Sequence, residues 1–276
     1  MLDEVLRKVI VLIQKSNKEL QNPIQINTQN IGKLIHKPYE EALPNYSSQK
    51  ELPVGTCIAL GYIKDGHGSI MHISTQKINF TTKEKQFIVT GNLKQVMSES
   101  ISLAMLNAQR LLHNKFPDKY SKEFTEGSYH FHCSQTDIPK DGPSAGCAMV
   151  LSLISLMTNK PLPSNLSTTG EISAIGEVNR IGGIREKLTA CKSNKISEII
   201  VPIANKKDVE ILSEEFKEGL TIYYASTVED LYNVAFREPG QEIKCEHTQY
   251  KASKNIKKEE IMENNELDRL LKAPPN

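Results

Sequence analysis

The chain has 276 residues, 38% hydrophobic and 24% charged, which is enough apolar material for a core and predicts one large domain or two small ones. Its 34 basic and 33 acidic residues leave a net charge of +1, so no long-range pull towards nucleic acid or an anionic membrane is expected. The longest nearly apolar stretch, Cys147 to Met157, contains two serines and is too short to span a bilayer, and the opening residues show no secretory signal. Five scattered cysteines without CxxC spacing favour free thiols in a reducing compartment, so the expectation is a soluble chain that is not secreted.

In chain order, Val5, Val9, Leu12 and Ile13 recur at helical spacing, predicting a helix over residues 1–20. A second short helix is expected over 27–36, with Thr28 as a capping residue. Residues 1–40 therefore read as a helical segment, and 41–52, with proline, serines and mixed charge, as a linker. From Pro53 the pattern turns to strands at 56–63, 69–75 and 86–90. A long helix follows over 92–116, with Val96, Ile101, Leu103, Leu106 and Leu111 expected on its buried face.

A strand over 128–133 leads through a loop into a helix from Pro143 to about Met157. Alternation then sets in: strand 170–178, helix 183–194, strand 198–202, helix 205–214, strand 220–225 and helix 227–236. This order predicts an α/β domain with a mixed sheet and some parallel pairing over 53–236. From Arg237 onwards, eight basic residues face eight acidic ones with few apolar residues, so 237–276 reads as a disordered tail with a marginal helix near 256–272.

The run Pro139 to Gly146, PKDGPSAG, stands between a strand and an apolar helix. Proline is favoured in a first helical turn, which places Ser144 beside free amides and the positive end of the helix dipole. That is a good setting for a nucleophile, because the same amides can hold a developing oxyanion. Taken alone, the stretch fits ordinary helix capping better.

A serine nucleophile needs a base. His130 and His132 share one strand face and suggest a Ser-His pair or a metal pair, but no third ligand is evident and a polar strand face fits more simply. Lys187 follows Gly182-Gly183 near a helix start, where the dipole disfavours its charge and burial would lower its pKa. A lysine must be neutral to accept a proton, and Ser-Lys pairs are a known variant of the nucleophile–base scheme. Singly, Lys187 also fits a solvated surface lysine.

Together these motifs resemble those of the Lon protease family. PKDGPSAG is similar to the family's nucleophile motif. Thr169-Gly170-Glu171 followed by Gly182-Gly183-Ile184-Arg185-Glu186-Lys187 resembles the motif ending in the catalytic lysine. The separation of 43 residues between Ser144 and Lys187 is the family's own. Further matches are His130-x-His132, Gly91-x-Leu93, Val96-Met97-x-Glu99-Ser100, and Ile200-Val201-Pro202 with Asn205-Lys206-Lys207-Asp208. The resemblance covers about 53–236, and residues 1–40 resemble the last helices of a Lon ATPase module.

The resemblance implies the Lon proteolytic-domain fold and a serine endopeptidase with Ser144 as nucleophile and Lys187 as base. Thr169 would hydrogen-bond the lysine without adding negative charge, and Asp141 would shape the site loop. It further implies unfolded or damaged protein substrates and a homo-oligomeric, hexameric ring. The GCA run after the serine and the segment 230–236 look most like the mitochondrial type, which points to the mitochondrial matrix. No cofactor and no metal are expected. The motif G-x-x-x-x-G-K-[ST] is absent, so ATP would act only through an ATPase module supplied elsewhere.

The sequence departs from the family pattern at Tyr62 (usually tryptophan), Gly66-His67-Gly68 (paired glycines), Ser74 (glutamate) and Arg180 (proline). These changes leave a second expectation, a catalytically inactive ring component or adaptor.

Overall fold

The structure, a computed structural model, describes residues 6–7, 9–11, 49–63, 67–78, 87–117, 119–134, 140–238 and 240–251. Residues 6–7 and 9–11 are helical, within the expected first helix. The rest of the segment 1–40, most of the linker and the expected helix near 256–272 lie outside the described residues. The other described residues belong to one compact unit, 45–252. No helix among the described residues is long and apolar enough to cross a membrane.

Strands β1 (Thr56–Ile63), β2 (His67–Ile78), β3 (Phe87–Thr90) and β4 (Ser128–Cys133) form one half of the main sheet. β5 (Leu166–Thr168), β8 (Glu198–Pro202), β9 (Thr221–Ala225) and β10 (His247–Gln249) form the other half. The order is β10-β9-β8-β5-β1-β2-β4-β3. Pairing is parallel from β9 to β1 and between β3 and β4, and antiparallel at β1–β2, β2–β4 and β9–β10, the mixed α/β sheet expected. A separate two-stranded ribbon, β6 (Glu171–Ile172) and β7 (Val178–Asn179), stands beside it.

Residues 56–60 of β1 are buried without alternation, as on a strand covered on both faces. One face carries α3 (Gly146–Thr158), whose residues 146–155 are all buried, as befits a helix that is apolar all round. Against it pack α1 (Gln95–Lys115) and α7 (Val228–Ala235). The other face carries α4 (Ile184–Ser193). The parity of β2 shows the division: Thr75 bonds Ser152 of α3 at 2.7 Å, whereas a Cβ on Gly68, seven residues earlier, would lie 1.9 Å from the Glu186 carbonyl of α4. α2 (Ser121–Glu126), α5 (Lys206–Glu210) and α6 (Glu214–Lys217) are short connectors.

Several expectations need correction. The buried stripe of α1 is Met97, Ser100, Ile101, Ala104, Asn107, Ala108, Leu111 and Leu112, while Val96 and Leu106 face water. Small residues let α1 approach α3 closely, so the larger hydrophobics do not mark the contact. The strand expected over 170–178 is the β6–β7 hairpin, broken at Gly176 with φ 93°. The helix expected over 205–214 is two short ones. The first part of the tail expected from 237 is ordered: β10 pairs with β9, and Lys206 and Glu246 form an ion pair near that edge. The last linker residues are also tied down, with Leu52 buried and its N–H bonded to the Leu162 carbonyl at 2.7 Å.

Candidate active site

The nucleophile loop is set by its backbone. Gly142 has φ 119°, a conformation that an L side chain rarely adopts, and its N–H donates to Asp141 Oδ1 at 3.1 Å. Pro143 then opens a single 3-10 turn, Pro143–Ala145, and α3 starts at Gly146. Ser144 therefore sits just ahead of the α-helix, half-buried, rather than within its first α-turn. The Gly146 amide is bonded to the Pro143 carbonyl and the Cys147 amide to Gly170 at 3.1 Å.

The segment after β5 closes over this turn. Thr169 is fully buried; its hydroxyl donates to the Ser144 carbonyl at 3.2 Å, and the next amide, Gly170, donates to the same oxygen at 2.8 Å. Lys187 comes from the opposite side. Gly183, with φ 70°, caps α4, and a Cβ there would press on the Tyr62 ring at 3.1 Å. The Lys187 amide bonds the Gly183 carbonyl at 3.0 Å, and its Nζ donates to Thr169 Oγ1 at 3.0 Å. Two hydrogen bonds through one hydroxyl thus connect the lysine amine to the backbone of Ser144.

Lys187 is 2% exposed. Burial lowers its pKa from the ordinary 10.5 to about 8, because the charged form is poorly solvated there; the Cys147 thiol opposes the fall weakly. The hydroxyl of Thr169 offers an acceptor without a charge, so that bond favours the ammonium far less than a carboxylate partner would.

Ser144, Lys187 and Asp141 line one cleft of about 580 Å³. Its walls are the loop 140–145 and the segment 182–187, and Gly61, Tyr62, Ser69, Met71 and Met97 complete it. Asp141 is exposed and turns the loop through its bond to Gly142. Glu186 also lines the cleft. His130 and His132 do share a face, as expected, but there they converge on Thr90 Oγ1 at 2.9 and 2.8 Å and do not line the cleft. Among the described residues no three His, Cys, Asp or Glu side chains converge on a metal-sized site, and all five cysteines are free.

Three contributors were not singled out from the sequence. Lys140 is buried, lines the cleft and donates from Nζ to the Gly91 carbonyl at 3.2 Å. Met97 lines the cleft from the first turn of α1. Asn205, wholly buried, clamps the approach to Gly182: it accepts from the Ile181 amide at 3.0 Å and donates to the Ile181 carbonyl at 2.8 Å. Arg180, where the family has proline, makes a two-pronged pair with Asp208 at 2.6 and 3.1 Å. Lys140 and Asn205 both stand inside motif runs, which is the signal that could have found them.

A family model of the Lon protease (S16) C-terminal proteolytic domain matches residues 25–238. The chain is similar to the mitochondrial Lon protease homologue of maize, 34% identical over 214 residues, covering 78% of this chain and 22% of the relative. It is also similar to those of Yarrowia lipolytica (38% over 208 residues; 74% and 17%) and Drosophila melanogaster (32% over 245 residues; 86% and 23%). The chain thus spans about a fifth of the length of these relatives.

Proposed function

The chain belongs to the Lon protease family through its C-terminal proteolytic domain, and on that premise we propose that it is a serine peptidase in which Ser144 attacks and Lys187 is the base. The observation that carries this reading is the buried Lys187 amine on Thr169, one hydrogen bond from the Ser144 backbone and with its pKa brought to about 8. A useful fraction is then neutral near pH 7 to 8, as a general base requires.

The steps follow. Neutral Lys187 takes the Ser144 Oγ proton as Oγ bonds to the scissile carbonyl carbon. The ammonium then returns a proton to the leaving amine, giving an acyl-serine. Water, deprotonated by Lys187 in turn, releases the acid and restores the hydroxyl. The Gly146, Cys147 and Gly142 amides already have partners and Pro143 has no N–H, so the oxyanion donors belong to the amides of Ser144 and Ala145. Asp141 acts on loop shape, Thr169 on the position of the amine.

The larger setting is part of the same proposal: unfolded or damaged protein as substrate, a homo-oligomeric ring, ATP coupling only through an ATPase module, and the mitochondrial matrix, which the names of the relatives support. The inactive-component reading rests on Tyr62, Ser74 and Arg180. It is disfavoured because Tyr62 packs on Gly183 and Arg180 is paired, both beside an intact cleft.

A fluorophosphonate probe tests the centre of the proposal. Wild type should acquire one label on Ser144, and Ser144→Ala none, with unchanged circular dichroism. Equal labelling of both proteins would exclude Ser144 as the nucleophile.

A further inference from the structure

We propose that the outer edge of β3 is a docking strand for extended polypeptide, holding a segment of substrate beside the cleft that contains Ser144. This rests on the peptidase reading for its substrate, but not for its geometry.

β3 is the last strand of the main sheet: β4 pairs with it on one side, and among the described residues no strand pairs with it on the other. Such an edge presents unpaired N–H and C=O groups, which proteins usually blunt with charge or proline. Phe87-Ile88-Val89-Thr90 contains neither. Ile88 and Val89, which alternate to opposite faces, are 36% and 37% exposed.

The edge leads directly to the site. Past Thr90, Leu93 bridges Lys140 in parallel register. The Lys140 amide bonds the Asn92 carbonyl at 3.0 Å, and the Lys94 amide bonds the Lys140 carbonyl at 2.9 Å. The Lys140 ammonium adds its bond to the Gly91 carbonyl. The loop that carries Asp141 and Ser144 is therefore bonded to the backbone that continues β3, and Met97 lies in the cleft wall a few residues on.

The occupant follows from chemistry and size. Backbone pairing reads main-chain groups rather than sequence, which suits an unfolded chain of any composition. Four residues span only about 13 Å. Four residues are a small part of the roughly 20 to 30 a side that a stable interface uses, so a second folded copy is the poorer fit, whereas a substrate already held in the cleft needs little additional contact.

The test uses the full chain with Ile88→Lys, which adds a charge to the edge and keeps the backbone. The KM for unfolded casein should rise at least about fivefold at constant kcat, because ground-state binding is what is lost. Cleavage of a short fluorogenic peptide confined to the cleft should stay within about twofold of wild type. Casein cleavage at the wild-type KM would overturn the docking strand, and so would equal losses on both substrates. A second measurement does not depend on turnover. In Ser144→Ala, the amides of residues 87–90 should shift on titration with an unfolded casein fragment, and Ile88→Lys should abolish those shifts. If wild type cleaves nothing but the shifts appear, the edge stands and the peptidase reading falls. Cleavage without shifts has the opposite meaning. Self-association of wild type that Ile88→Lys abolishes, without peptide-induced shifts, would assign the edge to a second copy and sink the proposal.

Discussion

Lys187 and Lys217 are buried to nearly the same degree, 2% and 4% exposed, and they sit on two helices, α4 and α6, that pack against each other. Their partners differ. Lys217 is paired with the Glu214 carboxylate at 2.8 Å and lies 5.0 Å over the Tyr250 ring, so its charge is met twice. Lys187 meets a hydroxyl and the walls of a cleft, and burial brings its pKa down to about 8. Depth of burial alone does not separate an anchoring cation from a base; the charge of the partner does. Loss of the amine should therefore change stability with opposite signs at the two positions, and should change activity only at Lys187.

The largest effect is expected from Lys187→Met, which fills the same space without the amine. Peptide hydrolysis should fall by roughly 10³- to 10⁴-fold, the scale on which loss of an activating base acts. Stability should move the other way. A pKa lowered from 10.5 to about 8 means that below pH 8 the folded state carries an unfavourable charge costing on the order of 3 kcal/mol. The methionine removes that cost, less about 1 kcal/mol for the lost hydrogen bond. Denaturant unfolding at pH 7 should therefore show a more stable, inactive protein. A destabilised variant would mean that Lys187 is an anchor after all.

Next in size is the pH dependence. Activity of wild type should rise about tenfold per pH unit up to pH 8 and level off above it, as Lys187 loses its proton. The linkage has the same direction: between about 8 and 10.4 the unfolded chain holds the lysine proton that the folded chain has lost, so stability rises with pH across that window. Subtracting the Lys187→Met curve removes the contribution of tyrosines, several of which are pushed upwards by burial. A flat difference between the two curves would remove the physical basis of the comparison.

A smaller effect should come from Thr169→Val, which keeps shape and loses the hydroxyl between Lys187 and Ser144. kcat should drop by about tenfold to a hundredfold, since the amine loses its orientation. The hydroxyl accepts from the ammonium and so favours the charged form; without it the rising limb should shift below pH 8. A purely structural threonine would lower stability without moving that limb.

How much of this was legible in the chain depended on whether a motif or a packing pattern carried it. Ser144, Asp141, Thr169 and Lys187 were named through the resemblance of their motif runs to the Lon family; taken singly, Ser144 fitted a capping position and Lys187 a surface lysine. β1, β4 and β8 were bounded correctly because each is a β-rich run with turn residues at its ends. β5 was missed: Leu166-Ser167-Thr168 is three residues long and mostly polar, and only its neighbours β1 and β8 make it a strand. The buried face of α1 was caught at Ile101 and Leu111 but not at Ala104 and Ala108, which carry little hydrophobic weight, while Val96 and Leu106 are exposed. β10, His247-Thr248-Gln249, has no apolar signal at all; it is a strand because β9 offers it an edge. Lys140 and Asn205 stand inside motif runs, but their buried bonds to the distant Gly91 and Ile181 carbonyls became visible only in the fold.

Lys217→Met should have the smallest effect and separates the two lysines most directly. The variant removes the ion pair to Glu214, whose side chain is 79% exposed and returns to water at little cost. It also removes the ammonium above Tyr250, while the methionine retains contact with the ring. The sum is about 1 to 2 kcal/mol of lost stability. In a domain of this size each kcal/mol lowers Tm by roughly 2 to 4 °C. The loss should be local: the Gly219 amide donates to the Tyr250 carbonyl at 2.8 Å, and the Tyr250 amide donates to Leu220 at 2.9 Å, so this lysine stands where β10 is fastened to the sheet. Hydrogen exchange should accelerate at 247–250 and remain unchanged at 166–170. Peptide hydrolysis per folded molecule should stay within about twofold of wild type, and its rising limb should remain at pH 8, because Lys217 shares no hydrogen bond with Thr169 or Ser144. If Lys217→Met instead raised stability and shifted the limb, the two lysines would be coupled, and the distinction between anchor and base would have to be drawn elsewhere.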